Sequence, residues 1–321
     1  FQGGSIVNGT LICNNTSIEA NGDTKIFNAL NISGTLKNKE VFLTWFNVGN
    51  NDDTAEFARA FKIAQSNQGI TITIDGNTTY KLLNPIEVFS YTKCNLTKGV
   101  TLLNTGNLGF ELGSTTMGVY KYNGYHDIVF YGEGVIDLSG SPSGLNRGVN
   151  SAFRMYHARN ILIEDITIKN SCNYPMIEVG GCQNIVFKNM KFIGFYHLSD
   201  LPTYKGECIQ IEMTEEGNGS DMPFYDRTSC DNITIEGCYF GPVVAFNADG
   251  TQNISGRISR CVGCHDELST TLGDILHSNI NIINNTFDGV LNCCISPRIM
   301  DKCTIRGNRA LNMQGYFIST F

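Results

Sequence analysis

No run of eighteen or more apolar residues occurs in the 321-residue chain, so no segment reads as a membrane-spanning helix. Blocks of positive charge are missing as well. The 23 lysines and arginines are scattered, against 30 acidic residues, for a formal charge of −7 and a pI near 5.3. A nucleic-acid partner would demand the opposite, a concentrated basic footprint. The 12 cysteines amount to roughly 4% of the residues, short of the density of a disulfide scaffold. Several of them (Cys172, Cys182, Cys208, Cys238) sit inside apolar strand patterns, where a thiol acts as a small hydrophobe.

What is present is apolar bulk, 41% of the chain, enough for one large core or two ordinary ones. The opening Phe1-Gln2-Gly3-Gly4-Ser5 reads as the end of a protease-cleavable tag and is set apart from the fold. No signal peptide is visible, and one lying upstream would have left no trace. Asn-x-Ser/Thr triplets are many, with Asn8, Asn95, Asn232 and Asn253 among them; turn-forming asparagines in a repeat explain them better than glycosylation.

Self-similarity sets the fold class. The segments "HDIVFYGEGVID", "RNILIEDITIKN", "QNIVFKNMKFIG", "DNITIEGCYFGP", "SNINIINNTFDG" and the weaker "DKCTIRGNRALN" align on Asp127, Asn160, Asn184, Asn232, Asn279 and Lys302. Their spacings are 33, 24, 48, 47 and 23 residues: two single periods near 24, two close to double, and one period carrying a loop. Each unit holds two short alternating strands parted by Asn, Asp or Gly. Strict alternation marks half-buried strands. No unit buries its inner face alone, so units must stack, each rung about 4.8 Å above the last. The expectation is all-β: a right-handed parallel β-helix with room for roughly eight coils between residues 126 and 312.

Ahead of the repeat, Asp52-Asp53-Thr54 supplies natural helix N-cap residues, which accounts for the two aspartates without catalysis. Phe57, Phe61 and Ala64 then share one helical face, and Ile70, Ile72 and Ile74 alternate as a strand. A short helix near 52–66 is what plugs the open end of a solenoid. The division is lead-in strands over 6–50 and a single β-helix domain over 51–321.

The motif "DDTAEF" at Asp52–Phe57, with "NISGTLKNKEVFLTWFNVGNNDDT" leading into it, resembles the N-terminal cap of phage tailspikes and bacterial surface β-helix proteins. These belong to the pectate-lyase-like superfamily. "GECIQIEMTEEG", "FYDRTSCDNITIEGCYF" and "CVGCHDE" resemble a branch of the same right-handed β-helix proteins. The resemblance implies a fold, an extracellular or virion-surface location and possible homotrimers. It does not imply one chemistry, since the superfamily holds lyases, hydrolases, epimerases and adhesins.

Function on such a scaffold belongs to one outward column flanked by long corner loops. Six residues before Asn160 and Asn184 stand Arg154 and Glu178, each polar between apolar neighbours and therefore outward on adjacent coils. In "ECIQIE", Ile209 and Ile211 point inward, leaving Gln210 and Glu212 outward with Glu207 at the strand entry. His265, Asp266, Glu267 and Arg298 follow on higher coils, and Tyr174, Tyr204, Lys205 and Tyr225 lie on the walls. The expected catalytic set is Glu178, Glu212, Asp266, Glu207 and His265; Arg154, Tyr174, Tyr204, Lys205, Gln210, Tyr225, Glu267 and Arg298 bind substrate.

Carboxylates one or two strand spacings apart are what glycoside hydrolysis needs, one as acid and one as base or nucleophile. The favoured activity is hydrolysis of a bacterial surface polysaccharide by a tailspike-type depolymerase, with no metal or cofactor. β-Elimination on a uronate is the alternative. It needs a base such as His265 and a cation such as Arg154, Arg298 or Ca²⁺, and an acidic groove repels an anionic chain. A non-catalytic adhesin is the reading from another class, and teichoic-acid cleavage meets the same acidic barrier. "CVGCH" at Cys261–His265 has the spacing of a c-type haem attachment and of half a zinc site. The repeat favours thiols that fill the coil, with His265, Asp266 and Glu267 facing the groove.

Overall fold

The computed structural model describes residues 4–20, 24–107, 109–113, 119–141, 151–172, 174–196, 206–215, 225–264 and 275–320. Three long sheets run the length of the molecule: a first of ten strands, a second of eight and a third of eight. The chain visits them in rotation, and every pairing between rungs of these sheets is parallel, as in Arg159–Glu164 against Gln183–Lys188 and Thr167–Cys172 against Lys191–Tyr196. This is a right-handed parallel β-helix.

The period of the repeat comes from two left-handed backbone positions per coil. All six anchors, Asp127, Asn160, Asn184, Asn232, Asn279 and Lys302, have φ between 51° and 57°. They sit at the entry to the first sheet. Asn and Asp tolerate this conformation; a lysine gains nothing from it, which is why the last unit reads weakly. The second bend, between first and second sheets, falls on Asp165, Asn189, Gly237, Asn284 and Gly307, again at positive φ. Asn232 is thus a turn residue.

The spacings of 48 and 47 are single coils, not doubled ones. Gln183 pairs directly with Asp231, and Asp231 pairs directly with Ser278. Six rungs of the first sheet, not eight, therefore lie between residues 126 and 312. The surplus chain went into connections, among them an antiparallel hairpin of Val243–Phe246 and Gln252–Ser255.

Inward residues stack rung upon rung. Phe192, Phe240 and Phe287 form a continuous pile with centroids 4.6 and 5.1 Å apart. The N-terminal end is plugged by a helix over Thr54–Lys62, extended by a 3-10 turn over Ile63–Ser66; Phe57, Phe61 and Ala64 are buried. The capping aspartates divide their work differently from expectation. Asp52 Oδ1 accepts the Thr54 N–H at 2.9 Å, whereas the Asp53 carboxylate turns back to accept from Gly49 and Asn50 at 2.9 Å each.

All 12 cysteines are free and only Cys303 is not buried. Cys208, Cys261 and Cys294 precede Ile209, Val262 and Ile295, which pair directly, so the three thiols lie one above another. Burial pushes Cys208 and Cys261 well above the ordinary thiol range, which suppresses the reactive thiolate. A thiol reagent added to the folded protein is expected to modify Cys303 first and the other eleven only on unfolding. Early labelling of Cys261 or Cys264 would contradict this packing.

Candidate functional site

The connections single out one face. Between the first and second sheets they are two to four residues long. From residue 71 onward the long ones all enter or leave the third sheet: 138–152, 197–206 and 242–259 before it, 112–125, 213–230 and 264–276 after it. Long loops on a rigid sheet are where recognition concentrates.

On that sheet Arg154 and Glu178 are neighbours on adjacent coils, as the repeat leads one to expect. Arg154 pairs with Glu178, Glu178 with Gln210 and Gly180 with Glu212. Glu178 and Glu212 thus share a face on adjacent rungs, offset by two residues. Two residues of rise and one rung of separation put their Cα atoms about 8 Å apart. Gly180, the register partner of Glu212 one rung below, carries no side chain.

The third carboxylate arrives by a route that strand parity does not reveal. Gly263 follows Gln210 in the outward column, and a Cβ there would meet Glu207 Cγ at 2.7 Å and Oε1 at 3.0 Å. The Glu207 side chain therefore folds over bare backbone and joins the strip. It pairs with Arg260 at 3.1 Å.

The carboxylates are firmly held. Glu178 Oε1 accepts the Ser151 hydroxyl at 2.5 Å, and Oε2 accepts the Tyr156 hydroxyl at 2.6 Å. Gln210 Nε2 donates to Glu212 Oε1 at 2.5 Å. Arg154 stands beside Glu178 but pairs at 2.6 Å with Glu111, one rung below. These outward side chains are buried: Glu178 is 9% exposed, Gln210 8%, Tyr156 7%, Arg154 5%, Glu212 2% and Glu207 not at all. Of the three carboxylates, Glu178 is the one nearest the surface.

The remaining expected residues are more dispersed. Tyr174 is half-buried, its carbonyl accepting the Ser171 hydroxyl at 2.6 Å. Tyr225 is exposed at 45%, on the connection between the strand of Glu212 and the next rung of the first sheet. Arg298 lies half-buried just past the strand Cys293–Ser296, on a coil beyond that of Gly263. Tyr204, Lys205, His265, Asp266 and Glu267 fall outside the described residues. Ser151, Tyr156, Glu111 and Arg260 were not anticipated. Tyr156 was accessible to the same alternation that placed Arg154; Ser151 reaches Glu178 only through a loop.

Asp226, next to Tyr225, clamps the wall. It accepts from the Lys121 N–H at 2.7 Å, the Thr214 hydroxyl at 2.7 Å and the Thr228 hydroxyl at 2.6 Å. Burial would raise this carboxyl, but the hydrogen bonds from Thr228, Lys121 and Thr214 outweigh it and hold it at about 2. A group depressed below its unfolded value of about 3.9 contributes stability above that value and loses it as pH falls towards 2. Asp226→Asn is therefore expected to reduce the fall in melting temperature between pH 4 and pH 2. An unchanged acid limb would show the clamp to be inert.

The paired-thiol motif resolves towards packing: Cys261 and Cys264 are both fully buried. Cys264 Sγ lies 3.5 Å from His277 Nε2, whose Nδ1 accepts the Cys230 N–H at 2.9 Å. Among the described residues no three His, Cys, Asp or Glu side chains are grouped as a metal site would require. No helix among them is long and apolar enough to cross a membrane.

No protein-family model matches the chain. Plasmin and fibronectin-binding protein A of Streptococcus pneumoniae is 27% identical over 233 residues, covering 68% of this chain. The chain spans only about 30% of that relative's length. Among solved structures, the pneumococcal surface protein and adhesin PfbA superposes with a TM-score of 0.69 at 25% identity, over 84% of this chain and 66% of the other. A tailspike variant of E. coli bacteriophage HK620 superposes with a TM-score of 0.55 at 15% identity, over 85% of this chain and 50% of the other; that likeness is one of fold alone. The structural neighbours thus include a surface adhesin and a phage tailspike, and the fold this chain shares with both is the right-handed parallel β-helix.

Proposed function

We propose that the chain is a surface-located glycan-processing β-helix that hydrolyses a bacterial polysaccharide on the outer face of its third sheet. The observation that supports this most is the gathering of Glu178, Glu207 and Glu212 around Gln210, all buried on an outward strip. Burying carboxylates is expensive. A chain that sinks three of them beside one another, rather than leaving them in water, keeps them for chemistry.

Glu178 accepts hydroxyl hydrogens on both oxygens, which suits the acceptor role of base or nucleophile. Glu212, oriented by Gln210, is the partner acid. Both side chains lie on the same face of adjacent rungs, offset by two residues, which supports assigning them as a pair of carboxyls acting on one glycosidic bond. Arg154, Gln210 and Tyr225 contact the sugars, as do Tyr174, Tyr204, Lys205, Glu267 and Arg298; His265 and Asp266 complete the catalytic set. Hydrolysis here uses no cofactor; Ca²⁺ enters only in an elimination reaction. Assembly as a homotrimer belongs to the same proposal.

A second reading rests on the named relative, a plasmin- and fibronectin-binding protein: the same face binds without turnover, as an adhesin. Incubation with purified capsular and wall polysaccharides separates the readings. New reducing ends without near-ultraviolet absorbance mean hydrolysis, an absorbing unsaturated product means lyase, and binding with neither product means adhesin.

A further inference from the structure

We infer that the outer face of the first sheet is a second, separate binding site, for an extended and uncharged glycan lying along the helix axis. It does not rest on the reading of the third sheet. A shallow depression of about 440 Å³ opens on this face, with Tyr91 at its foot and Val129, Leu162 and Val186 along its floor; such a volume suits a small ligand. These three side chains are directly paired from rung to rung and half-buried, so they form a flat hydrocarbon stripe about 4.8 Å per step.

Beside the stripe runs a ladder of exposed amides. Asn160 Nδ2 donates to Asp127 Oδ1 at 2.9 Å, Asn184 Nδ2 to Asn160 Oδ1 at 2.9 Å, and Asn232 Nδ2 to Asn184 Oδ1 at 2.8 Å. A side-chain amide has two N–H donors and two oxygen lone pairs. The ladder consumes one of each on Asn160 and Asn184, leaving one donor and one acceptor per rung, at solvent-exposed positions. The charged residues lining the depression, Lys93 and Asp127, are of opposite sign, and on the far side of the stripe Glu164 and Lys188 are register partners of opposite sign, so the face carries no net charge that would favour a charged polymer.

Flat hydrocarbon flanked by donor–acceptor pairs that repeat with the rung is complementary to a ribbon of pyranose rings. Such rings present C–H faces and hydroxyl edges, and in a β-linked ribbon each sugar advances by close to the height of one rung. The lateral offset of two residues between ladder and stripe, about 6 Å, lets a ring lie on Leu162 while its hydroxyls reach Asn160 and Asn184. A second copy of the chain packing on the stripe is the competing occupant.

The test is a titration of the full chain with cellohexaose, an uncharged β-linked ribbon, following the ¹⁵N side-chain amide resonances of Asn160 and Asn184, with curved maltohexaose as comparison. Both resonances are expected to shift with cellohexaose and not with maltohexaose. Leu162→Asp and, separately, Asn184→Ala are each expected to weaken binding tenfold or more, while Glu178→Gln leaves it unchanged. The proposal is overturned if cellohexaose moves neither resonance, or if both substitutions leave the affinity intact. It is equally overturned if light scattering shows an oligomer that Leu162→Asp dissociates.

Discussion

Glu178→Gln is expected to lower turnover of a susceptible polysaccharide by about 10²–10⁴-fold with little change in melting temperature. The substitution preserves shape, and both partners of this carboxylate are hydroxyls, Ser151 at 2.5 Å and Tyr156 at 2.6 Å. A hydroxyl rotates to accept as readily as to donate, so one of them turns to meet the new amide N–H₂ and the fold is spared. What is lost is a carboxylate oxygen able to take a proton or attack a sugar. Tyr156→Phe should give a milder loss, in kcat rather than KM, because it frees one oxygen without removing the charge. Initial rates of reducing-end release at several substrate concentrations measure both. Full activity in Glu178→Gln would remove Glu178 from the chemistry.

Phe240→Ala is expected to cost about 3–5 kcal/mol of folding stability. Its ring is fully buried and sandwiched between Phe192 at 4.6 Å with an 8° interplanar angle and Phe287 at 5.1 Å. In a stacked repeat each coil touches only its neighbours, so a cavity at this rung loosens both interfaces at once, and the parallel ladders above and below hold the walls too far apart to collapse. Urea denaturation followed by circular dichroism gives the value. A loss below about 1 kcal/mol would mean that the pile relaxes and that the rungs are less rigid than their register suggests.

The fold was legible because it is periodic. The Ile-x-Ile alternation places Ile161, Ile185 and Ile233 inward, and the left-handed requirement at the strand entry selects Asn160, Asn184 and Asn232; both are local demands that leave a mark in every coil. The same arithmetic set Arg154 beside Glu178; that Gln210 is the next register partner of Glu178 came from the structure. It failed where the period stretches. Spacings of 48 and 47 look like two coils, yet they are one coil with long insertions, because insertion length leaves the ladder unchanged and cannot be told from an extra rung by counting.

By itself, then, the sequence determined that the chain stacks as a parallel β-helix, that each unit carries two alternating strands, and that one outward column gathers Arg154, Glu178, Gln210 and Glu212. Those follow from a two-residue strand period and from backbone angles that few residues accept. The third sheet as a continuous ladder came with the structure. Only the tertiary structure decided that this column is buried instead of bathed in solvent, that Arg154 pairs with Glu111, that Ser151 and Tyr156 grip Glu178, and that Glu207 reaches the strip by lying over Gly263. Each of these depends on side chains meeting across coils or on loops returning over a sheet, and contacts between residues dozens of positions apart leave no periodic trace to read.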